Sequence, residues 1–214
     1  MYERNLSFLD RVIAAFDDGI RAVFAPTPSS HRPYPAGADT VSVLTPAERR
    51  LSESLMRVNH TGEICAQALY AAQALTARDP EVQVRMQQAA DEENDHLNWC
   101  EVRLEELNGR VSRLNPLWYL GSFAIGTAAG LVGDKWNLGF VVETENQVVA
   151  HLADHLQRLS PADTRTRAVL AQMQADEERH ARMAWDAGAA ELPAPVKSLM
   201  RLHSKVMTTV AYWV

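Results

Sequence analysis

Two stretches of the chain place a glutamate three residues before a histidine: Glu93-Asn94-Asp95-His96 and Glu177-Glu178-Arg179-His180. Residues three apart share one face of a helix, so each pair can present a carboxylate and an imidazole to one metal ion. One such match is weak. Two are more telling here because their surroundings are also alike. The runs Met86 to Glu93 and Leu170 to Glu178 read as an internal repeat, with acidic stretches one residue apart when the histidines are aligned.

Periodicity selects the glutamates. Glu93 falls on a stripe with Met86, Ala89, Leu97, Cys100 and Leu104, and Glu177 on one with Leu170, Met173, Ala181 and Ala184. A carboxylate on an apolar face is costly to bury unless its charge is met, and metal ions would meet it. Glu92 and Glu178 face polar neighbours. Glu92 and Asp176 each precede a motif histidine by four residues, a position from which a carboxylate can orient an imidazole.

A two-metal site in a helical bundle takes one more glutamate from each of the other two helices. Glu145 shares a face with Val148, Val149, Leu152 and Leu156 and is preferred to Glu143, which lies with Asn146, Gln147 and Ala150. Glu48 is committed to a helix cap. Facing alone leaves Glu53 and Glu63 open. Spacing favours Glu63, because Glu63 to Glu93 and Glu145 to Glu177 are similar intervals, so two similar hairpins put all four at one level. Gly62 and Ala66 beside Glu63 predict a close helix approach. Four carboxylates and two neutral imidazoles balance two divalent cations, and oxygen-rich ligation suits iron or manganese. Such a site can reduce oxygen.

These residues need long helices to hold them. Apolar positions recur at helical spacing over 3–24, which predicts an amphipathic helix. Residues 25–44 carry Pro26, Pro28, Pro33 and Pro35 and read as a linker. Thr45-Pro46-Ala47-Glu48 is a capping box that opens a helix over about 46–77. Asp79-Pro80 opens the next, to near Gly109, and Ser160-Pro161 another, to near Gly188. A further helix spans about 138–159. The fold class is all-α: a four-helix bundle with an apolar crossover plus N- and C-terminal helices. Residues 1–44 form an appendage and 45–214 the bundle domain. The crossover, 116–133, carries no charge and approaches the length of a membrane span. It reads either as buried or as touching lipid. The last helix, about 195–213, carries Lys197, Arg201 and Lys205 beside an apolar face and ends in Tyr212 and Trp213, a pattern that suits a membrane interface.

Composition narrows the function classes. The 214 residues are 47% apolar and 22% charged, as in an ordinary globular chain. A net charge of −6 argues against a nucleic-acid binder. Cys65 and Cys100 make neither a disulfide framework nor a cysteine zinc site and suit a reducing compartment. Charges interrupt the N-terminus before a signal-peptide core can form, which places the protein on the cytoplasmic side. Cys100 reads as a buried inert thiol, and His155 as a surface residue.

The run Asn59-His60-Thr61-Gly62-Glu63, the two Glu-x-x-His motifs, Glu145 and the crossover with Pro116-Leu117-Trp118 together resemble the demethoxyubiquinone hydroxylases. The resemblance covers residues 45–214. It implies a ferritin-like di-iron monooxygenase of ubiquinone biosynthesis, with two iron ions per chain on Glu63, Glu93, His96, Glu145, Glu177 and His180. It implies oxygen as co-substrate, electrons from NADH or the quinol, and hydroxylation of a polyprenyl methoxy-methyl-benzoquinol. His151, six residues after Glu145, corresponds to a family histidine near the substrate, although Leu152 stands where a tyrosine can follow it. The lipid substrate implies a peripheral protein on the cytoplasmic face of the cell membrane. It leaves room for an accessory lipid-binding protein and a homo-oligomer. The alternatives on the same fold are a hydroxylase of a soluble substrate and ferritin-type iron oxidation and storage. A helical module without metal is the third.

Overall fold

The computed structural model describes residues 7–25, 27–37 and 43–214. Its elements are α1 (Phe8–Phe24), α2 (Pro46–Thr76), α3 (Pro80–Glu106), α4 (Asn115–Val132), α5 (Asp134–Arg158), α6 (Thr164–Asp186) and α7 (Ala194–Ala211). No strand occurs among the described residues. Helices α2, α3, α5 and α6 form the bundle, as two antiparallel hairpins joined by α4.

Local signals explain the boundaries. Thr45 and Glu48 close the capping box of α2, and the Asp79 side chain caps α3. Helix α6 starts later than Ser160-Pro161 because residues 160–163 form a turn. The Asp163 carboxylate accepts from Thr166 N at its head. Helix α5 starts at Asp134, four residues ahead of the expected 138. Gly133, at φ 127°, makes the sharp break from α4. The Asp134 carboxylate then accepts from Arg78 N and Asp79 N, at 3.0 and 2.9 Å, so the break after α4 and the α2–α3 turn are tied together. The expected start of the first helix at residue 3 lies outside the described residues. Within them, Ser7 and Asp10 form its capping box.

The bundle core has a layered plan. Leu55, Met56, Trp99, Cys100, Leu104, Leu152, Leu170 and Met173 fill one end. Tyr70, Val82, Met86, Leu138, Val141 and Ala184 fill the other. Each inward glutamate lies one heptad, about two helical turns, from a member of either cluster. The series are Met56-Glu63-Tyr70, Met86-Glu93-Cys100, Leu138-Glu145-Leu152 and Leu170-Glu177-Ala184. A polar layer is therefore held between two apolar plugs.

The crossover is neither wholly buried nor a span. In α4, Tyr119, Ser122, Gly126 and Gly130 are buried at three- and four-residue steps, whereas Leu117, Leu120, Leu131 and Val132 are exposed. Its glycines serve packing: a Cβ on Gly126 would lie 2.9 Å from the Leu69 carbonyl oxygen of α2. No described helix is long and apolar enough to cross a membrane.

Helix α1 rests on α2 and α4. Its apolar stripe faces outward: Leu9, Ile13, Phe16, Ile20 and Phe24 are exposed, while Gly19 packs against Tyr119. The linker lies against the body over 27–37. Asn98 donates to the Pro28 carbonyl, Trp99 Nε1 to Ser30 Oγ, and His31 N to Asp95.

Candidate metal centre

All six residues singled out by sequence meet in the polar layer and are buried. Glu63, Glu93, His96 and Glu177 each bring one ligand atom to within 4.8 Å of the others, close enough to hold a metal ion. The centre of the arrangement is Glu93 and Glu177. His96 Nδ1 lies 3.1 Å from a carboxylate oxygen of each. His180 Nδ1 lies 3.1 Å from Glu177 and 3.5 Å from Glu93. Glu63 flanks the His96 side, 3.8 Å from Nδ1. Glu145 is fully buried beside Glu177 and Glu93, where Tyr70 donates a short hydrogen bond to it. The set thus divides into two halves that share Glu93 and Glu177.

Both histidines turn Nδ1 inward and Nε2 outward. The outer nitrogens reach carboxylates of the opposite hairpin. His96 Nε2 on α3 lies 3.1 Å from Asp176 on α6, and His180 Nε2 on α6 lies 2.9 Å from Glu92 on α3. A neutral imidazole has one N–H, so giving it to the outer carboxylate leaves the Nδ1 lone pair facing the cluster. The sequence marks Glu92 and Asp176 correctly, but each serves the other motif's histidine. The offset between the two acidic runs also resolves. Counting back from histidine, position four is an acid and position three the inward glutamate in both motifs.

Electrostatics fit a site for cations. Burial, reinforced by the Glu93 charge, raises the Glu63 carboxyl well above its usual range. Burial and the charges of Glu177 and Glu93 do the same to Glu145. Burial opposes ionisation of Glu93 too, but His96 and His180 outweigh it and hold that carboxyl well below its usual range. Burial would push His180 down, yet Glu177 and Glu93 push it up to about 11. Protons and cations compete for such a cluster, because a ligand must give up its proton to bind a metal. Glu93 Oε1 is buried 3.5 Å from His180 Nδ1 and without a hydrogen bond among the described residues, an acceptor of the kind a metal satisfies.

Residues 50–211 match the family described as ubiquinone biosynthesis protein COQ7. The chain belongs to the COQ7 family. Relatives named 3-demethoxyubiquinol 3-hydroxylase include proteins of Nitrosococcus oceani, 54% identical over the full length of both chains, and Nitrosospira multiformis. The latter is 57% identical over 96% of this chain and 99% of its own. A relative of the same name from Variovorax paradoxus is 56% identical over 96% of this chain. The full-length match takes in residues 1–44, beyond the stretch over which the motifs resemble the family.

The family frame makes the remaining residues readable. A cavity of about 240 Å³ opens onto Glu63, Glu145 and Glu177 and is walled mainly by apolar groups of α2, α4, α5 and α7. Gly62 lines it. The expected close helix approach at Gly62 is absent, since a Cβ there would meet no described atom within 4 Å. Glu53 instead pairs with Arg57, and Glu143 with Lys197 and Arg201. His151 lines the cavity with its Nε2 buried and unpartnered among the described residues, and burial lowers its pKa to about 4. His155 is not a surface residue. It is buried against His151, ring centroids 3.9 Å apart, and burial with that neighbour lowers it to about 2. Cys100 is buried as expected. The sequence reading passed over Tyr70, although it stands one heptad after Glu63. It also gave no individual role to Asn59, whose buried Oδ1 is unpartnered in the cavity wall.

Proposed function

We propose that this protein hydroxylates 3-demethoxyubiquinol, the quinol in its relatives' name, at a centre of two iron ions held by Glu63, Glu93, His96, Glu145, Glu177 and His180. The observation that carries the reading is the apolar cavity ending on three carboxylates of the cluster. A quinol ring fits there with its tail toward solvent or lipid. A storage site for iron has no use for such a pocket.

Bound iron would supply the reduction of oxygen, with electrons from NADH or the quinol; one oxygen atom enters the ring C–H bond and the other leaves as water. The protein's own task is to hold the ring. Asn59 Oδ1 and His151 Nε2 are buried acceptors without partners in the wall, and each can take a hydrogen bond from a ring hydroxyl. The depressed pKa keeps His151 neutral near pH 7, so Nε2 stays available to accept a hydrogen bond from the ring hydroxyl and orient it. Tyr70, from the other side, steadies the Glu145 carboxylate.

The substrate's tail supports a peripheral place on the cytoplasmic face of the membrane. Leu199 both lines the cavity and is exposed. Leu202 and Val206 are exposed on α7, Trp213 is exposed just beyond its end, and Leu117 and Leu120 lie exposed on α4. Lys205 is suited to anionic headgroups.

The test is a quinone profile by mass spectrometry after depletion of the protein in its host, with Glu177→Ala as the rescue control. Ubiquinone should fall, and a precursor lacking one ring oxygen and its methyl should accumulate. Rescue should come from the unmutated chain alone. An unchanged pool with no second hydroxylase present refutes the substrate. Rescue by Glu177→Ala refutes the ligand set.

A further inference from the structure

The two halves of the centre are braced differently. Glu92, behind His180, is more than one-third exposed and pairs with the half-exposed Arg179 at 2.6 Å. Asp176, behind His96, is wholly buried. Arg179 donates to one of its oxygens at 2.7 Å, and Arg32 Nη2 lies against the other, the oxygen that faces His96 Nε2, as an ion pair at 2.8 Å outside hydrogen-bond geometry. Arg32 belongs to the segment 27–37. Its Nε donates to Asp95 on α3 at 3.0 Å, and its guanidinium lies 4.6 Å from the centre of the Trp99 ring. One planar side chain therefore clamps α3 to α6 directly outside His96. The backbone that carries it is fixed on both sides. His31 N donates to Asp95, Ser30 Oγ accepts from Trp99, and Gly37 O accepts from Arg165.

We infer that Arg32 is a positioning residue of the centre: through Asp176 it fixes the His96 imidazole, and so makes the His96 half the tighter of two unequal metal positions. The chain Arg32–Asp176–His96 ends on the cluster itself. The outer carboxylate of a metal-binding histidine typically governs affinity by about ten- to a hundredfold. An Asp176 freed from Arg32 can rotate toward Arg179 and Gln172, which hold its other oxygen, and His96 then loses its fixed acceptor. The guanidinium geometry matters, because it spans two carboxylates that one ammonium cannot reach together.

This inference rests on the proposed two-metal centre, and one experiment separates the two. The full-length protein is titrated anaerobically with Fe²⁺ against a competing chelator, alongside Arg32→Gln, Arg32→Lys, Asp176→Asn and the Arg32→Gln/Asp176→Asn double variant. The wild type should bind two ions of unequal affinity. Arg32→Gln should weaken the tighter ion by about ten- to a hundredfold and leave the other within about threefold. Asp176→Asn should do the same, and the double variant should lose no more than Asp176→Asn alone, as residues acting in series do. Arg32→Lys, which keeps the charge, should fall between and serves if the Gln variant does not fold. Failure of the wild type to bind iron refutes the metal centre and this inference with it. Two ions bound, but unaffected by Arg32→Gln or equally weakened by it, refutes the role of Arg32 alone. Additive losses in the double variant do so as well.

Discussion

Replacing Gly62 tests whether the cavity on the carboxylates is a working space. Gly62 lies in the interior of α2, where glycine is about 0.5–1 kcal/mol less favourable than alanine. A Cβ there meets no described atom within 4 Å, so no clash offsets that gain. In a chain of this size 1 kcal/mol moves Tm by roughly 2–4 °C, so Gly62→Ala should raise Tm by about 1–4 °C in a thermal melt. The same change at Gly126 should have the opposite sign. Its Cβ would lie 2.9 Å from the Leu69 carbonyl oxygen and 3.0 Å from Ala72 Cβ, and overpacking of that kind costs about 1–3 kcal/mol. Gly62→Leu then probes function. At interior packing density its four added carbons fill roughly 100 Å³, a large share of the cavity's ≈ 240 Å³. Iron content should be unchanged. Quinol hydroxylation should fall by about a hundredfold, as expected when a reacting ring is displaced by about 1 Å. A lower Tm for Gly62→Ala would show that the position is packed. Undiminished turnover by iron-loaded Gly62→Leu would show that the quinol does not use this cavity.

Four further outcomes follow from the site. Tyr70→Phe removes the donor to buried Glu145 and should cost about 1–3 kcal/mol in urea unfolding of the metal-free protein. Glu92→Gln should weaken the looser Fe²⁺ by about ten- to a hundredfold in the chelator titration, leaving the tighter one close to wild type. His155 is held neutral in the fold, with its pKa lowered to about 2, and takes up a proton on unfolding. Its destabilising effect is absent well above pH 6.5 and grows as pH falls below it. His155→Leu should therefore gain about 2 kcal/mol over wild type between pH 8 and pH 5, read from denaturant curves at both values. Removing metal with a chelator and restoring Fe²⁺ anaerobically at about a hundredfold over Kd should raise Tm by roughly 5–10 °C; no change would show that metal does not bind the native cluster.

Much of this fold is written in local signals. The bundle helices announce themselves through Thr45-Pro46 and Asp79-Pro80, and the inward glutamates through their apolar stripes. The choice of Glu63 over Glu53 needed spacing between hairpins, because facing within α2 is ambiguous. Heptad flanking would have sharpened it: Met56 and Tyr70 bracket Glu63 in the two apolar clusters. What sequence could not show is pairing across elements. The exchange of Glu92 and Asp176 between the two motifs depends on how α3 meets α6. Arg32 is remote in sequence from both carboxylates it joins. The amphipathic helix α1 is legible in the sequence, but the direction its stripe faces is not, for a related reason. Amphipathicity shows that a helix has two faces, and packing of Gly19 on Tyr119 settles which one turns inward.

The exchange of outer carboxylates has a consequence for a chain emerging from the ribosome. The first hairpin already contains Glu63, Glu93 and His96, enough donors to catch an ion. Yet the acceptor that sets His96 arrives only with Asp176, and the one that sets His180 has waited since Glu92. Neither hairpin can complete a binding pocket for itself. On the proposed two-metal centre, full-strength binding of an ion would wait until nearly the whole polypeptide has been made and its halves have met.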